Sequence, residues 1–320
     1  MSELRIVSRE YELLDGSKRI LVERVGSGSI IKRFDKTPLP AKETDIVCPH
    51  FLELKWATGC PYDCSWCYLK GTLRFSPKRA RPDVKDFNKV AEHVRTFLQE
   101  VDWCEELLNS GEIADSLMWE KTEAPFSKSI IPLFSVQRRH RVLLVSKSNN
   151  VRHLLANEYQ DCAVTSFSFN ADVVAQRFEK DAPTVDQRIE AARKLSQAGY
   201  EVRVRIDPMI PVSGWEHHYQ ELIDQIFSEF TPARVTLGSL RGLQSTINGA
   251  SDRSWVKYLS DRSNWGRRID RNIRFWMYQK VIEYLKQRYE YTEVGLCKET
   301  VEIWNRLGMD YRKIKCNCIA

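Results

Sequence analysis

Three cysteines stand close together in Cys60-Pro-Tyr-Asp-Cys64-Ser-Trp-Cys67. A C-x3-C-x2-C run in one short loop offers three thiolates, whereas a [4Fe–4S] cluster ordinarily takes four. The spacing therefore predicts a cluster with one iron left open to a small molecule. With the aromatic Tyr68 directly after the third cysteine, the expected molecule is S-adenosylmethionine. Two other uses of the loop stay open. A zinc knuckle would need a fourth ligand and a second Cys or His pair nearby, and His50, which precedes Cys60 across a predicted strand, is badly placed to supply it. A disulfide set would not leave three clustered thiols.

The rest of the composition suits such chemistry. The chain has 320 residues, 42% of them hydrophobic, enough for one large core. Nine cysteines, odd in number and clustered, fit a reducing compartment where thiols serve as metal ligands or small buried residues. The charged start MSELRIVSRE lacks the apolar stretch of a secretion signal, and no run reaches the length of a membrane span. A cytoplasmic protein with no membrane partner is expected. The net charge is +6, and Arg262, Arg267, Arg268, Arg271 and Arg274 gather around Trp265, Phe275 and Trp276. Such a stretch can grip phosphates and stack bases. It also fits the solvated face of an amphipathic helix whose core side is Ile273, Trp276, Met277, Val281, Tyr284 and Leu285.

To position the loop, the chain alternates short apolar runs with helical stretches. Strands are predicted at 51–57, 107–109, 141–146, 163–169, 201–206 and 234–237, with helices over 84–101 and 185–198. For the latter, Thr184 is the expected N-cap, and Gly199 the residue that closes it with a positive φ. Repeated β-α units imply a parallel sheet. The expected fold is α/β, a partial (β/α)6 TIM-type barrel over residues 51–243, with an N-terminal extension over 1–50 and a C-terminal helical, basic region and cysteine tail over 244–320. Chemistry in such folds gathers at the carboxyl ends of the strands. That geometry would bring the cysteine loop together with Ser110, Gly111 and Glu112, with Ser146 and Lys147, with Ser168 and Asn170, and with Asp207. S-adenosylmethionine carries an ammonium, a carboxylate, a ribose diol and an adenine, which such side chains could hold.

At these residues the chain resembles the spore photoproduct lyase family of radical-SAM proteins. The likeness rests on ATGCPYDCSWCYLKGT, VLLVSKSNNVRHLL, SFSFNAD followed by RFE, RIEAARKLSQAGY, GWEHHY and NWG, in that order. The resemblance implies a partial barrel whose cluster passes an electron to the sulfonium of S-adenosylmethionine and releases a 5′-deoxyadenosyl radical. In the lyase, that radical abstracts hydrogen from a thymine dimer in DNA and so splits it. By position, Tyr68, Lys147 and Ser168 match residues that contact the cofactor in that family. An electron donor such as a flavodoxin or ferredoxin is expected, and the substrate would be a nucleic acid or a small molecule.

Two departures bear on the substrate. The lyase has a tyrosine where Trp66 stands, and Glu112 falls where the lyase has the cysteine that returns hydrogen to the product radical. Ser110-Gly111-Glu112 instead resembles the Gly-Glu motif that holds the cofactor's ammonium, so Glu112 is assigned there, and faithful dimer repair is not expected. Cys104, the nearest spare thiol, lies before the strand. Beyond the lyase-like stretch, Cys297, Cys316 and Cys318 could bind a soft metal, a metalloid or a second cluster, with Cys48 as a fourth ligand and Cys162 in the core. Alternatively the tail only packs. The expectation is thus a radical-SAM enzyme with Cys60, Cys64 and Cys67 on the cluster, Glu112, Lys147, Ser168, Asn170 and Asp207 on the cofactor, and Tyr68 and Glu112 as catalytic candidates. The rivals are a nucleobase or DNA-lesion lyase, a transferase moving the 3-amino-3-carboxypropyl group to a thiol or trivalent arsenic, and a non-enzymatic zinc module that binds nucleic acid.

Overall fold

A computed structural model describes residues 4–76 and 82–320; the first three residues of the expected N-terminal extension lie outside these. One ten-stranded sheet runs through the molecule with its strands in strict chain order. Strands β1 (Ile6–Glu12), β2 (Lys18–Val25) and β3 (Ile31–Phe34) are antiparallel, and β3 joins β4 (Phe51–Leu54) with Ile31 opposite Leu54. From β4 onward the pairing is parallel, through β5 (Leu107–Asn109), β6 (Arg141–Ser146), β7 (Ala163–Phe169), β8 (Glu201–Met209), β9 (Arg234–Ser239) and β10 (Val294–Leu296). Every strand expected between β4 and β9 is present. Strand β10 extends the sheet beyond them; three residues with Val294 and Leu296 as the apolar pair carry too little periodicity to stand out. The fold is mixed α/β with a large, mostly parallel sheet.

Helix α1 (Phe87–Glu100) starts later than its apolar pattern suggests. Asp83 and Val84 are drawn into a short antiparallel pair with Ala57 and Thr58, and Asp86 then caps the helix by accepting from the Asn88 N–H at 2.9 Å. Between β7 and β8 run α2 (Asp172–Phe178) and α3 (Val185–Gln197). Thr184 and Gln187 form a reciprocal capping box on α3, and Gly199 closes it at φ 86°. The strand residues Phe167, Val204, Ile206 and Leu237 are buried, as are the helix residues Ile189, Leu195, Leu222 and Ile226.

After α4 (Trp215–Glu229), the basic region resolves into α5 (Arg271–Tyr289), and it is only partly a solvated face. Met277, Val281 and Leu285 are buried as expected, whereas Ile273 and Trp276 are 42% and 53% exposed and are not core. Two of the arginines are internal. Arg268 and Arg274 both reach the buried carboxylate of Glu299, at 2.8 and 3.3 Å, and the Tyr278 hydroxyl donates to it at 2.9 Å. Glu299 and Thr300 in turn pair with Val47 and Ile46, so the strand after β10 is zipped to the segment before β4. No helix among the described residues is long and apolar enough to cross a membrane.

Candidate active site

The cysteine loop leaves β4 and is pinned at its centre. Cys64 and Asp63 pair antiparallel with Glu179 and Lys180 just past α2, and the Ser65 N–H donates to the Phe178 carbonyl at 2.8 Å. Below it the turn at Leu69–Thr72 lies against the helix Gln244–Gly249 so closely that a Cβ at Gly71 would come 2.5 Å from the Thr246 nitrogen. The loop is therefore held on both flanks. All three of its thiols are free. Burial pushes each of them up, and for Cys64 and Cys67 the nearby Lys147 only partly opposes it.

Cys64 and Cys67 line a cavity of about 410 Å³. Tyr68, Glu112, Lys147 and Asp207 line it as well, so four strand-end positions expected to meet do meet. Gly111 allows this: a Cβ there would stand 2.6 Å from the Val145 Cβ, and only glycine lets the chain turn against β6 and present Glu112. The Tyr68 hydroxyl donates to the Glu112 carbonyl and ties the two loops together. Asp115, deeper in the same loop, accepts from the Ser146 hydroxyl and the Lys147 N–H, both at 2.7 Å, and fixes the end of β6.

Four expected positions are otherwise engaged. Lys147 reaches the cavity, but its ammonium is paired at 3.1 Å with Glu179, which also takes Arg188 at 2.7 Å. Burial pushes the Glu179 carboxyl up, but the two cations more than offset this and hold it below the usual range. Ser168 is not among the cavity-lining residues, and its carbonyl accepts from Arg188 at 2.9 Å. Asn170, with no exposed surface, is a brace rather than a ligand: it donates to the Pro208 carbonyl at 2.8 Å and accepts from the Tyr219 hydroxyl at 3.0 Å. Its place after a strand was legible, but the buried tyrosine that consumes it was not. Asp207 lines the cavity in a two-pronged pair with Arg241, both contacts 2.9 Å. Cys104 sits apart, donating to Glu106 at 3.8 Å.

The opposite wall was only partly foreseen. Arg203, Arg205 and Asp207 alternate along β8, and this period-two polar face in Glu-Val-Arg-Val-Arg-Ile-Asp is the signal that would have identified Arg205. The segment 316–318 lies against it. The Asn317 amide donates to the Ser166 hydroxyl and the Val204 carbonyl, each at 2.9 Å, and accepts from the Thr236 hydroxyl at 2.8 Å. Arg203 and Arg234 grip the tail's carbonyls at 2.6 to 3.2 Å. Four sulfurs thereby join the cavity lining: Cys48, Cys297, Cys316 and Cys318. Arg205 donates to Cys318 at 3.1 Å and to Cys297 at 3.9 Å. The hydrogen bond with the Cys316 thiol, together with Arg205, draws Cys318 below the ordinary thiol range, while burial pushes Cys48 up to about 12. Cys162 is buried core. Among the described residues, no group of three or more His, Cys, Asp or Glu gathers as the ligands of one metal ion would, in the loop or in the tail.

Comparison with known proteins places this arrangement. The family model described as spore photoproduct lyase matches residues 50–238. Spore photoproduct lyase of Bacillus subtilis (strain 168) is 28% identical over 192 residues, covering 54% of this chain and 50% of that protein. The enzyme of that name from Geobacillus sp. (strain Y412MC61) is 28% identical over 172 residues, 53% of this chain and 49% of its own. The chain thus spans about half the length of the curated relatives it matches. Among solved structures, spore photoproduct lyase complexed with dinucleoside spore photoproduct superposes with a TM-score of 0.64 at 20% identity, over 77% of this chain and 75% of the other. A double mutant of that lyase with bound AdoMet and the same dinucleoside gives 0.64 at 19% identity, over 80% and 79%. At these identities the structural likeness is one of fold. The match over residues 50–238 takes in the cysteine loop and every parallel strand up to β9, more than half of the sequence, and the chain belongs to the spore photoproduct lyase family.

Proposed function

We propose that the chain is a radical-SAM enzyme whose reaction takes place in the 410 Å³ cavity between the cysteine loop and the 316–318 tail. The observation that carries this reading is the convergence on one cavity of the pinned thiol loop with Glu112 and Tyr68. The donor set fits a [4Fe–4S] cluster. A three-thiol loop suits a cluster with one open iron, whereas a zinc module would want a fourth ligand close by. Cys60, Cys64 and Cys67 would hold the cluster, and bound there it would supply one electron to the sulfonium of S-adenosylmethionine. Glu112 would accept from the cofactor's ammonium, a charge-assisted bond that a carboxylate can make and a thiol cannot. Tyr68 would fix the Glu112 backbone, and Lys147, neutralised by Glu179, would set the rim of the loop. The six parallel strands β4 to β9 would curl into a partial (β/α)6 barrel of the TIM type over residues 51–243.

The curated relatives are named spore photoproduct lyase, and a solved structure of a lyase of that name is complexed with dinucleoside spore photoproduct, so a nucleic-acid lesion is the first substrate class to test. Glu112 in place of a hydrogen-returning cysteine argues against clean repair. The sulfur-lined wall favours a second reading, transfer of the aminocarboxypropyl group to a thiol or thiophilic acceptor. Soluble flavodoxin or ferredoxin would supply the electron, in the cytoplasm. Anaerobic reconstitution with iron, sulfide, S-adenosylmethionine and dithionite tests the proposal: 5′-deoxyadenosine marks the first chemistry, methylthioadenosine the second, and no cleavage of the cofactor by a protein with full iron content refutes both.

A further inference from the structure

The radical-SAM reading leaves unused the most unusual feature of the cavity, a wall of sulfur facing the cysteine loop. The Cys318 N–H donates to the Cys316 sulfur at 3.4 Å, which turns the two cysteines toward each other. The pair is fixed in place because Asn317 between them is locked into three strands. Among the described residues Arg205 has no ion-paired carboxylate: its hydrogen bonds go to the sulfurs of Cys318 and Cys297, and its buried Nε has no hydrogen-bond partner. A half-buried guanidinium left to sulfur, with one buried donor unfilled, calls for an oxygen acceptor from a ligand. Cys318 also borders a second cavity of about 280 Å³ on the side of Arg33 and Glu106.

Charge decides what kind of thiophile fits. Lys36, Arg205, Arg241 and Lys298 share the lining with Glu112 and Asp207, and Asp207 is already taken by Arg241. Lys298 is held over the rings of Trp265 and Phe34, at 4.0 and 4.5 Å, and makes no salt bridge among the described residues. This excess of positive charge opposes a bare soft cation. An uncharged trivalent metalloid hydroxide avoids the repulsion and brings the oxygen that Arg205 lacks.

We propose that Cys316 and Cys318 form a dithiol site for a trivalent metalloid hydroxide, with Arg205 as donor to the oxygen that the ligand keeps. In the binding step, two S–H and two metalloid–OH bonds break, two sulfur–metalloid bonds form and two waters leave. One hydroxyl remains, and no electron is transferred. The site faces the cysteine loop across the cavity, and its two thiols are its own, so it does not depend on the cofactor reading.

The test is anaerobic titration of the full chain with arsenite, followed by calorimetry and by mass spectrometry of iodoacetamide-labelled thiols. One equivalent should bind and protect Cys316 and Cys318 from labelling. Binding should be lost in Cys318→Ser and in Cys316→Ser, and kept when Cys60, Cys64 and Cys67 are all replaced by Ala. Arg205→Met, which leaves both thiols in place, should weaken binding while circular dichroism stays unchanged. Protection confined to the loop cysteines, or full binding by the Cys316→Ser/Cys318→Ser variant, would overturn the assignment. Tighter binding of cadmium(II) than of arsenite at the same two sulfurs would overturn the charge argument.

Discussion

Asn317→Ala gives the sharpest test of how the far wall of the cavity is held. The side chain is fully buried and makes three hydrogen bonds, with Ser166, Val204 and Thr236, which stand on β7, β8 and β9. Each bond contributes about 1 kcal/mol net, so their loss should cost about 3 kcal/mol of tail docking, before any penalty for the stranded Val204 carbonyl. At 1.36 kcal/mol per factor of ten, that is about a hundredfold rise in the undocked population. Cys316 and Cys318 are 6% and 8% exposed, so labelling of Cys316 by iodoacetamide should track undocking and quicken by about the same factor. The effect on urea unfolding of the whole chain should be smaller if the tail opens locally. Asn317→Asp should behave like the alanine variant, because the carboxylate keeps the bond from Thr236 but meets the Val204 carbonyl without a proton to offer. A labelling rate within about threefold of the parent would refute the reasoning, since that corresponds to about 0.6 kcal/mol.

Replacing Cys60, Cys64 or Cys67 with Ala should abolish both the bound iron and cofactor cleavage; a full iron and sulfide count in Cys64→Ala would remove the cluster assignment. Glu112→Gln should leave the iron content intact and weaken S-adenosylmethionine binding by roughly 1.5–3 kcal/mol, measured by equilibrium dialysis. Glu179 has a depressed carboxyl, so its stabilisation is complete above the ordinary carboxylate pKa of 4.5 and is lost as the pH falls through the lower folded value. Glu179→Gln should therefore cost about 3–5 kcal/mol near neutral pH, with the gap to the parent closing below pH 4.5 in urea titrations. Incubated with spore photoproduct, the reconstituted enzyme should not return two intact thymines cleanly; chromatography showing that product in full yield would mean that Glu112 is not the substitution that matters.

The parallel strands were readable because short apolar and β-branched runs between helical stretches stand out: Val142–Val145 is wholly apolar, and in Ala163–Phe169 the apolar residues Ala163, Val164, Phe167 and Phe169 are interrupted only by small hydroxyl residues. The meeting of the cysteine loop with Glu112, Lys147 and Asp207 was readable for the same reason, since strand order alone brings strand ends together. What the residues did not disclose is which polar groups are already spent. Asn170 and Lys147 look the same in sequence as free ligands, and their partners Tyr219 and Glu179 stand 49 and 32 positions away. The docking of Cys316 and Cys318 rests on Asn317, whose three partners are spread over β7, β8 and β9 and carry no local pattern.

The tail docks on strands made long before it. Asn317 closes on Ser166 across 151 positions, and Cys318 meets Asn109 across 209. During synthesis β4 to β9 and the cysteine loop emerge and can pair in order, whereas the sulfur wall has nothing to offer until residues 316–318 have left the ribosome. The cavity thus takes its two walls from parts of the chain far apart in sequence, and its sulfur-lined wall can be completed only after the cysteine loop and strands β4 to β9 have been made.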